Sequence, residues 1–370
     1  MKTAVITDGK YRTAIAAVRA LGRAGYRVIV AQTRGDCVQE PPVFASRFAA
    51  ETRWIAGSAA DEDYPERLRA LLKEYDRPVL FCVGAASLNA AARQRARLAE
   101  VCDFLIAPPE TLDALNDKEQ VHARCEDLGI PVPRQYGPGE TPAEYPVVVK
   151  PHCGEKFGLK ARDRYRVAQN REECEAALAA MAPYDAAPIV QEKVAGPGGG
   201  ASLLLDQNSR LIGAICHRRI REYPAAGGPS TCCVSFYDEK LIENAYRLLA
   251  SFHFQGLAMV EFKGDRVLEV NPRIWGSFPM TEQAKSPIAV RYARAAAGER
   301  LDYAPGDYET GVRMRFMLND AAAMLDYLRH GKPGPFFSGA ADVFRAKEAL
   351  SCRDDPAPLR RYLKNTLLGR

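Results

Sequence analysis

The most constraining feature of the chain is a pair of apolar segments, Leu257–Val260 and Val267–Val270, on either side of the turn-forming residues 263–265. This pattern predicts a β-hairpin. Two carboxylates, Glu261 and Glu269, lie in or beside these apolar strands. Burying two carboxylates close together is strongly unfavourable unless a cation or paired donors compensate their charge. Mg²⁺ can do so, because it binds hard oxygen ligands and keeps coordination positions for phosphate.

The register of this hairpin decides whether such a metal site is geometrically feasible. Strand residues alternate between faces, so Glu269 and Asn271 share one face. A two-residue turn at Gly264-Asp265 puts Glu261 on the opposite face, whereas a three-residue loop or a one-residue bulge brings it onto the same face. We therefore predict an odd-length connection, with Glu261, Glu269 and Asn271 as metal ligands. The alternative is an amphipathic hairpin with solvated acids.

The composition is typical of a globular protein. A length of 370 residues predicts two or three domains with sizeable cores. The 51 basic and 46 acidic residues give a net charge of only +5. This small excess argues against a nucleic acid as partner and is compatible with a small polyanion such as a nucleotide.

The cysteines and the N-terminus favour a cytoplasmic location. None of the ten cysteines forms a C-x-x-C pair, which argues against zinc and favours reduced, mostly buried thiols. The first ten residues lack the long apolar segment of a secretory signal. No apolar run approaches the ~20 residues that span a bilayer. We therefore expect a cytoplasmic protein that does not bind a membrane.

Residues 1–110 are predicted to form a doubly wound α/β domain. The segments Thr3–Thr7, Tyr11–Ala24 and Arg27–Gln32 have the pattern of a strand–helix–strand unit. A helix, a strand, a second helix and a short strand are predicted next at Tyr64–Tyr75, Pro78–Val83, Ser87–Leu98 and Phe104–Ala107. This region has no G-x-G-x-x-G motif, which argues against a dehydrogenase.

A mixed set of helices and strands follows the boundary near residue 110. A helix is predicted to begin after Asn116 or Asp117, which are good N-cap residues. Helical segments in the tail, which starts at residue 301, are interrupted at Gly331–Pro335. The glycine-dense segment Gly196–Gly200 is predicted to be a flexible turn.

Two lysines occupy positions that an anion would explain. Lys118 lies in the predicted first turn of a helix, where its charge is unfavourable unless a phosphate binds beside it. Lys150 ends an otherwise apolar strand, although its side chain can also reach solvent there. The loop that follows, residues 151–158, contains Gly154 and Gly158, and its amides can lie over phosphates. An ordinary strand connection is the alternative.

Three further segments carry candidate binding groups. The strand Ile189–Val194 can offer backbone donors and acceptors to a purine ring, although it can equally be an ordinary strand. On a regular strand His217, Arg219 and Arg221 share one face, where they repel one another unless an anion binds. We therefore predict a carboxylate or phosphate subsite, with a solvated, charge-protected strand edge as the alternative. Arg273 lies just beyond the acids and can hold a phosphoryl group or a carboxylate.

These segments together resemble the ATP-grasp superfamily in both order and spacing. NDKEQVHARCEDLGIPVPRQYG is similar to its entry helix, PVVVKP to its second nucleotide lysine, QEKV to its adenine hinge and VEFKGDRVLEVNPR to its metal-binding hairpin. HRRIREYPAAGGPST and EVNPRIWGS are most similar to the carbamoyl-phosphate-synthase-like branch of carboxylate-amine ligases. The resemblance covers about residues 110–290, after an N-terminal domain of the usual kind.

The resemblance implies two α+β subdomains that grip ATP: a small lid at about 111–190 and a larger metal-site subdomain at about 191–300, with residues 301–370 as a partly helical extension. It implies that Lys118 and Lys150 bind the ATP phosphates, and that Gly154, Lys156 and Gly158 belong to the phosphate loop. The adenine is implied to contact Glu192, Lys193 and Val194. The implied ligands of Mg²⁺ (or Mn²⁺) are Glu261, Glu269 and Asn271. The sequence departs from the family pattern in two ways. Its phosphate loop contains few glycines, and residues 196–201 include no acidic residue, which leaves the ribose contact unassigned.

The implied reaction is attack of a substrate carboxylate on the γ-phosphate of ATP, followed by displacement of phosphate from the acyl phosphate by an amine. Arg273 is implied to stabilise the acyl phosphate, and Arg219 or Arg221 to orient the carboxylate. We expect small amino-acid or peptide-like substrates, with a homodimer as a candidate assembly. Two alternatives are carboxyphosphate or carbamoyl-phosphate formation and a nucleotide-binding regulatory protein without turnover.

Overall fold

The computed structural model describes residues 1–137, 139–153, 165–225 and 228–368. Within these residues the strands are β1 (Thr3–Ile6), β2 (Arg27–Thr33), β3 (Ala49–Ile55), β4 (Val79–Phe81), β5 (Gln135–Tyr136), β6 (Val147–Lys150), β7 (Arg166–Ala168), β8 (Ile189–Glu192), β9 (Gly198–Leu205), β10 (Leu211–Glu222), β11 (Ser230–Phe236), β12 (Gly256–Lys263), β13 (Arg266–Asn271), β14 (Arg313–Arg315) and β15 (Lys347–Glu348). The helices are α1 (Arg12–Arg23), α2 (Tyr64–Leu72), α3 (Ala85–Arg93), α4 (Arg95–Ala99), α5 (Pro109–Asn116), α6 (Lys118–Asp127), α7 (Arg171–Met181), α8 (Glu239–Ser251), α9 (Pro279–Gln283), α10 (Ile288–Ala296), α11 (Met317–Arg329), α12 (Pro333–Arg345) and α13 (Ala357–Leu368).

The N-terminal region is built on a parallel sheet in the order β3-β2-β1-β4. Its central strands are almost wholly apolar and buried, as expected for a parallel sheet covered on both faces. The strand expected at Phe104–Ala107 does not form; the chain instead makes a single bridge between Asp103 and Val79. The helix expected over Ser87–Leu98 is interrupted at Gln94, whose backbone is not helical.

A small antiparallel sheet, β5-β8-β6-β7, forms the next layer with α7. Val147 and Val149 of β6 point into the core of this layer, together with Val190 of β8 and Met181 of α7. Lys150 ends β6 and pairs with Ile189. The apolar run therefore holds this lysine at the end of β6, an internal strand of the small sheet.

The largest sheet has the order β13-β12-β9-β10-β11-β14-β15. Its last two strands come from the tail, so the C-terminal extension contributes to a sheet as well as forming helices. The prediction of a flexible turn at Gly196–Gly200 is partly wrong, because residues 198–200 belong to β9, between β10 and β12. The mixed α/β and α+β architecture is as predicted; the exact domain boundaries stay a prediction.

None of the helices in the described residues combines the length and the apolar character needed to cross a bilayer.

Candidate nucleotide and metal site

The hairpin of β12 and β13 brings its two acids face to face. The turn is tight and pairs Lys263 with Arg266, but Leu268 is an extra residue in the register of β13. Because of this bulge, Glu261 lies directly opposite Glu269 and the two carboxylates share one face. The predicted odd-length connection is thus confirmed, through its bulge form.

Cationic side chains converge on this acid pair. The Nζ atom of Lys118 lies 3.2 Å from Oε2 of Glu269. The Nη2 atom of Arg219 lies 2.7 Å from Oε2 of Glu261. The ammonium of Lys150 donates to the backbone oxygen of the bulge residue, Leu268, at 3.4 Å. Both lysines and both acids therefore lie in one cleft.

The pKa values of the charged groups reflect this crowding. Burial, reinforced by the ammonium of Lys118, lowers the pKa of Lys150 to about 8, although Glu269 and Glu261 oppose the shift. Burial acts to raise the pKa of Glu269, but Lys118 and Lys150 overcome it and lower that pKa to about 2. Burial raises the pKa of Glu261, against the effect of Arg219.

Asn271 and Arg273 extend the same row of polar groups. The amide nitrogen of Asn271 lies 3.5 Å from Oε1 of Glu269, at the limit of a hydrogen bond. Arg273 donates to Oδ1 of Asn271 at 3.1 Å and to the backbone oxygen of Ile274, also at 3.1 Å. Arg273 is therefore held next to the candidate metal ligands.

A glycine in β9 leaves room beside the acids. Gly200 pairs with Glu261 on one side and with His217 on the other. A Cβ atom at Gly200 would lie 2.9 Å from the Sδ atom of Met259 and 3.0 Å from Cε1 of His217. Burial, with a smaller effect from Arg219, lowers the pKa of His217 to about 3, so this imidazole is neutral at physiological pH.

The structure corrects the prediction for Arg221. A bulge at Ile220 shifts the register, so Arg221 faces away from His217 and Arg219. The guanidinium of Arg221 is fully buried, and it binds Asp320 at 2.8 Å and Asp342 at 2.7 Å. Its position is that of a structural ion pair, so it is not available to orient a substrate.

A small pocket opens between α6, β8 and the turn end of the hairpin. Lys118 and Lys150 form part of its wall. Other polar and apolar lining groups are His122, Gln135, Ile189 and Gln191. His122 and Gln135 were not predicted as site residues, although both lie in the segment that resembles the entry helix of the family.

The predicted hinge residues lie at the end of β8. The carboxylate of Glu192 forms an ion pair with Arg266 and accepts the Arg134 N–H at 3.0 Å. The backbone N–H of Lys193 donates to Pro146 at 3.2 Å. The adenine-framing roles of Glu192, Lys193 and Val194 stay predictions.

The start of the predicted phosphate loop is anchored to α6. The backbone oxygen of His152 accepts the Lys118 N–H at 3.3 Å, and its ring contacts Glu119 and Asp185, each at 2.9 Å. The loop residues Gly154, Lys156 and Gly158 lie outside the described residues.

The donor set of the hairpin fits a magnesium ion. Among the residues that the structure describes, no group of three or more His, Cys, Asp or Glu side chains could hold a metal. The candidate set is instead two carboxylates and one amide oxygen, from Glu261, Glu269 and Asn271. These are hard oxygen donors, and their small number leaves positions for phosphate oxygens.

The site is a cleft between two sheets, with lysines beside a pocket and paired acids on a hairpin, which is the arrangement predicted for binding a nucleotide with its metal ion. Residues 115–277 match the ATP-grasp domain family. This part of the chain is therefore similar to ATP-grasp domains.

Known proteins extend the similarity beyond this domain. The carbamoyl phosphate synthase large chain of Deinococcus radiodurans is 25% identical over 317 residues, which cover 77% of this chain. Those residues span only 28% of that relative.

Solved structures share the fold. The biotin carboxylase–βγ-ATP complex of Campylobacter jejuni has a TM-score of 0.61 and 16% identity, over 84% of this chain and 74% of its own. The biotin carboxylase domain dimer of the Hydrogenobacter thermophilus 2-oxoglutarate carboxylase, in complex with MgADP, ADP and bicarbonate, has a TM-score of 0.62 and 16% identity, over 84% and 73%. The L-amino acid ligase of Bacillus licheniformis has a TM-score of 0.57 and 15% identity, over 80% and 74%.

Proposed function

We propose that the chain is an ATP- and Mg²⁺-dependent ligase that joins a carboxylate to an amine through an acyl phosphate. The observation that carries the proposal is the placement of Glu261 directly opposite Glu269, in the cleft that also holds Lys118 and Lys150. Amino-acid or peptide-like carboxylates are the proposed substrates. The similarity to an L-amino acid ligase and to a carbamoyl phosphate synthase chain supports this chemistry.

The two lysines would bind the phosphates of ATP. Both contribute to the wall of the pocket between α6 and β8. Lys150 is buried at the end of β6, so its charge is costly until an anion binds beside it. Phosphate oxygens would supply that charge and at the same time fix the nucleotide.

Glu261, Glu269 and Asn271 would hold the magnesium ion. When bound, Mg²⁺ would offset the charge that develops on the transferred phosphoryl group. In the structure, Lys118 pairs with Glu269 and Arg219 pairs with Glu261. We infer that these two cations exchange partners when MgATP binds, from the carboxylates to the phosphate oxygens.

The reaction would proceed in two displacements. A carboxylate oxygen of the substrate attacks the γ-phosphorus, and the bond from that phosphorus to ADP breaks. The amine nitrogen then attacks the acyl carbon, the carbon–oxygen bond to phosphate breaks, and the nitrogen loses a proton. Arg273 and Arg219 lie next to the acid pair, where a guanidinium stabilises the charge on the transferring group.

ADP release measured with pools of amino acids tests the proposal. Release that depends on both a carboxylate and an amine supports the ligase. Release that depends on bicarbonate instead favours carboxyphosphate chemistry, and ATP binding without turnover favours a regulatory protein. The homodimer stays a prediction that light scattering can measure.

A further inference from the structure

The helix pair α11–α12 turns its acidic side chains inwards. Asp320 of α11 and Asp342 of α12 are buried, and both bind the guanidinium of Arg221 in β10. Gly339 lets α12 pack closely on α11, because an added Cβ would overlap the side chain of Met324. The two helices are therefore anchored to the large sheet through their acids.

The outer side of this pair is apolar. Of the thirteen large hydrophobic side chains that are exposed among the described residues, six belong to α11 and α12. They form a surface that we call the α11–α12 face, made of Met317, Leu325, Leu328, Phe337, Val343 and Phe344. Phe337 and Phe344 are the most exposed aromatic residues, at 69% and 93%. This arrangement is the reverse of an ordinary surface helix, whose apolar side faces the core.

The spacing of these residues makes the surface continuous. Phe337 and Phe344 are seven residues apart, so they lie on one side of α12, about 10 Å apart along its axis. Leu325 and Leu328 are three residues apart and share one side of α11. The exposed alanines of the same sides are Ala321, Ala340 and Ala341. A contiguous exposed apolar surface of this kind marks a site of interaction with a protein or a membrane.

The charges beside this face have one sign. Apart from His330, the exposed charged residues between 317 and 347 are all basic: Arg329, Lys332, Arg345 and Lys347. The first two lie where α11 connects to α12, and the other two lie at the far end of α12. The acids of this segment do not offset them, because Asp320 and Asp342 are buried and Asp326 is partly buried and accepts the Ala225 N–H at 2.8 Å. A cationic rim therefore borders both ends of the apolar face.

The sign of this rim decides which occupant fits the face. A second copy of the chain in a two-fold dimer would bring the same surface against itself, so its basic side chains would meet others of the same sign. An anionic lipid surface instead complements both features. Apolar side chains flanked by Lys and Arg are typical of helices that lie in the headgroup layer, with their apolar side at the acyl boundary. Long basic side chains can reach the headgroups while the apolar ones insert.

We propose that the α11–α12 face docks the protein on an anionic lipid surface. Phe337 and Phe344 insert at the boundary between headgroups and acyl chains, and Arg329, Lys332 and Arg345 contact the lipid phosphates. The expectation that the protein binds no membrane came from the lack of a bilayer-spanning segment, and a surface contact does not need one. The inference goes beyond the ligase proposal and is independent of it, since none of these residues belongs to the nucleotide and metal site.

Co-sedimentation of the full chain with lipid vesicles tests the apolar part of the face. Vesicles of phosphatidylcholine alone are compared with vesicles that also contain phosphatidylglycerol. Phe337→Gln/Phe344→Gln should bind the anionic vesicles at least about tenfold more weakly than the wild type, because it removes two large apolar side chains. Val38→Gln/Leu367→Gln is the matched control, since both residues are exposed and lie outside the face, and it should bind like the wild type.

The same assay tests the cationic rim. Each Lys or Arg near an anionic surface strengthens binding about fivefold, so Arg329→Gln/Lys332→Gln/Arg345→Gln should bind on the order of 100-fold more weakly. Its control removes the same charge at three exposed positions elsewhere and should stay near the wild type: Lys2→Gln/Lys73→Gln/Arg300→Gln. Binding of the wild type should also weaken as the salt concentration rises. No binding to either kind of vesicle, equal binding to both, or equal losses in a variant and its control would overturn the inference.

Fluorescence tests whether the face inserts into the lipid. In Phe344→Trp, brominated lipid in anionic vesicles should quench the added indole, whereas the indole of Leu367→Trp should keep its emission. Equal quenching in the two variants, or none in either, would overturn the insertion. Urea unfolding of each variant checks that a loss of binding is not a loss of fold.

Two results would assign the face to another occupant and so overturn the lipid proposal. One is a dimer in analytical ultracentrifugation that Phe337→Gln/Phe344→Gln dissociates, without vesicle binding by the wild type. The other is binding to polyglutamate but not to anionic vesicles, which would indicate an acidic protein partner. Neither result bears on the ligase proposal, because ADP release is measured without vesicles.

Discussion

The charge of Lys150 should make ATP binding depend on pH in the alkaline range. Burial and the neighbouring Lys118 lower the pKa of Lys150 from 10.5 to about 8 in the free protein. Below pH 8 the side chain is charged and can bind phosphate directly. As the pH rises through 8, a growing fraction of the protein must first take up a proton, so the observed affinity falls.

The size of the effect follows from that pKa. The uncharged fraction of Lys150 rises from about 0.25 at pH 7.5 to about 0.9 at pH 9. If phosphate returns the pKa to its ordinary value, linkage makes ATP binding about eightfold weaker at pH 9 than at pH 7.5, or ~1.2 kcal/mol. Binding at pH 9 should then take up about 0.9 proton per ATP.

Isothermal titration calorimetry in two buffers of different ionisation enthalpy measures both quantities. Lys150→Arg is the matched control, because a guanidinium stays charged throughout this range. Its affinity should be nearly constant from pH 7.5 to 9, with little proton uptake. A wild-type protein with constant affinity, or the same loss of affinity in Lys150→Arg, would refute the reasoning.

Three other substitutions test separate parts of the structure. Gly200→Ala places a Cβ 2.9 Å from the Sδ atom of Met259 and should cost about 1–3 kcal/mol in urea unfolding, whereas Gly276→Ala, with nothing within 4 Å of its Cβ, should be nearly neutral. Arg221→Ala leaves the buried carboxylate of Asp320 without its ion-pair partner, while Asp342 keeps Arg313, and should cost about 3–5 kcal/mol. The exposed-pair control Arg171→Ala should cost less than about 1 kcal/mol, and equal losses would contradict the buried network. Lys118→Met should strengthen Mn²⁺ binding in the absence of nucleotide, because it frees the Glu269 carboxylate, and it should weaken ATP binding. Paramagnetic resonance measures the Mn²⁺ affinity and calorimetry measures the ATP affinity. Weaker Mn²⁺ binding in this variant would contradict the exchange of partners.

The metal hairpin could be predicted from sequence because its signal is local. Glu261 and Glu269 interrupt apolar strands, and only an extra residue in the register brings them together. Sequence alternation alone specified that requirement, but not which residue would fulfil it. The bulge residue proved to be Leu268, while the turn stayed tight.

The orientation of the arginines in β10 could not be predicted in the same way. A second bulge, at Ile220, turns Arg221 away from Arg219, and its buried partners come from helices about 100 residues further along the chain. Alternation assumes a regular strand, and the sequence of β10 carries no signal of its distant neighbours. Gly198–Gly200 likewise had the composition of a turn. It is instead part of β9, which pairs with β10 on one side and β12 on the other.

The central claim is that Glu261, Glu269 and Asn271 form the divalent-metal site of bound ATP. Electron paramagnetic resonance of Mn²⁺ with a non-hydrolysable ATP analogue measures this directly, in the wild type, in Glu269→Gln and in Glu243→Gln, which alters an exposed acid of α8. We predict that Glu269→Gln folds normally and loses Mn²⁺ affinity by at least about tenfold, the scale on which even outer-shell partners of a metal act, while Glu243→Gln binds like the wild type. Unchanged Mn²⁺ affinity in folded Glu269→Gln would contradict the account.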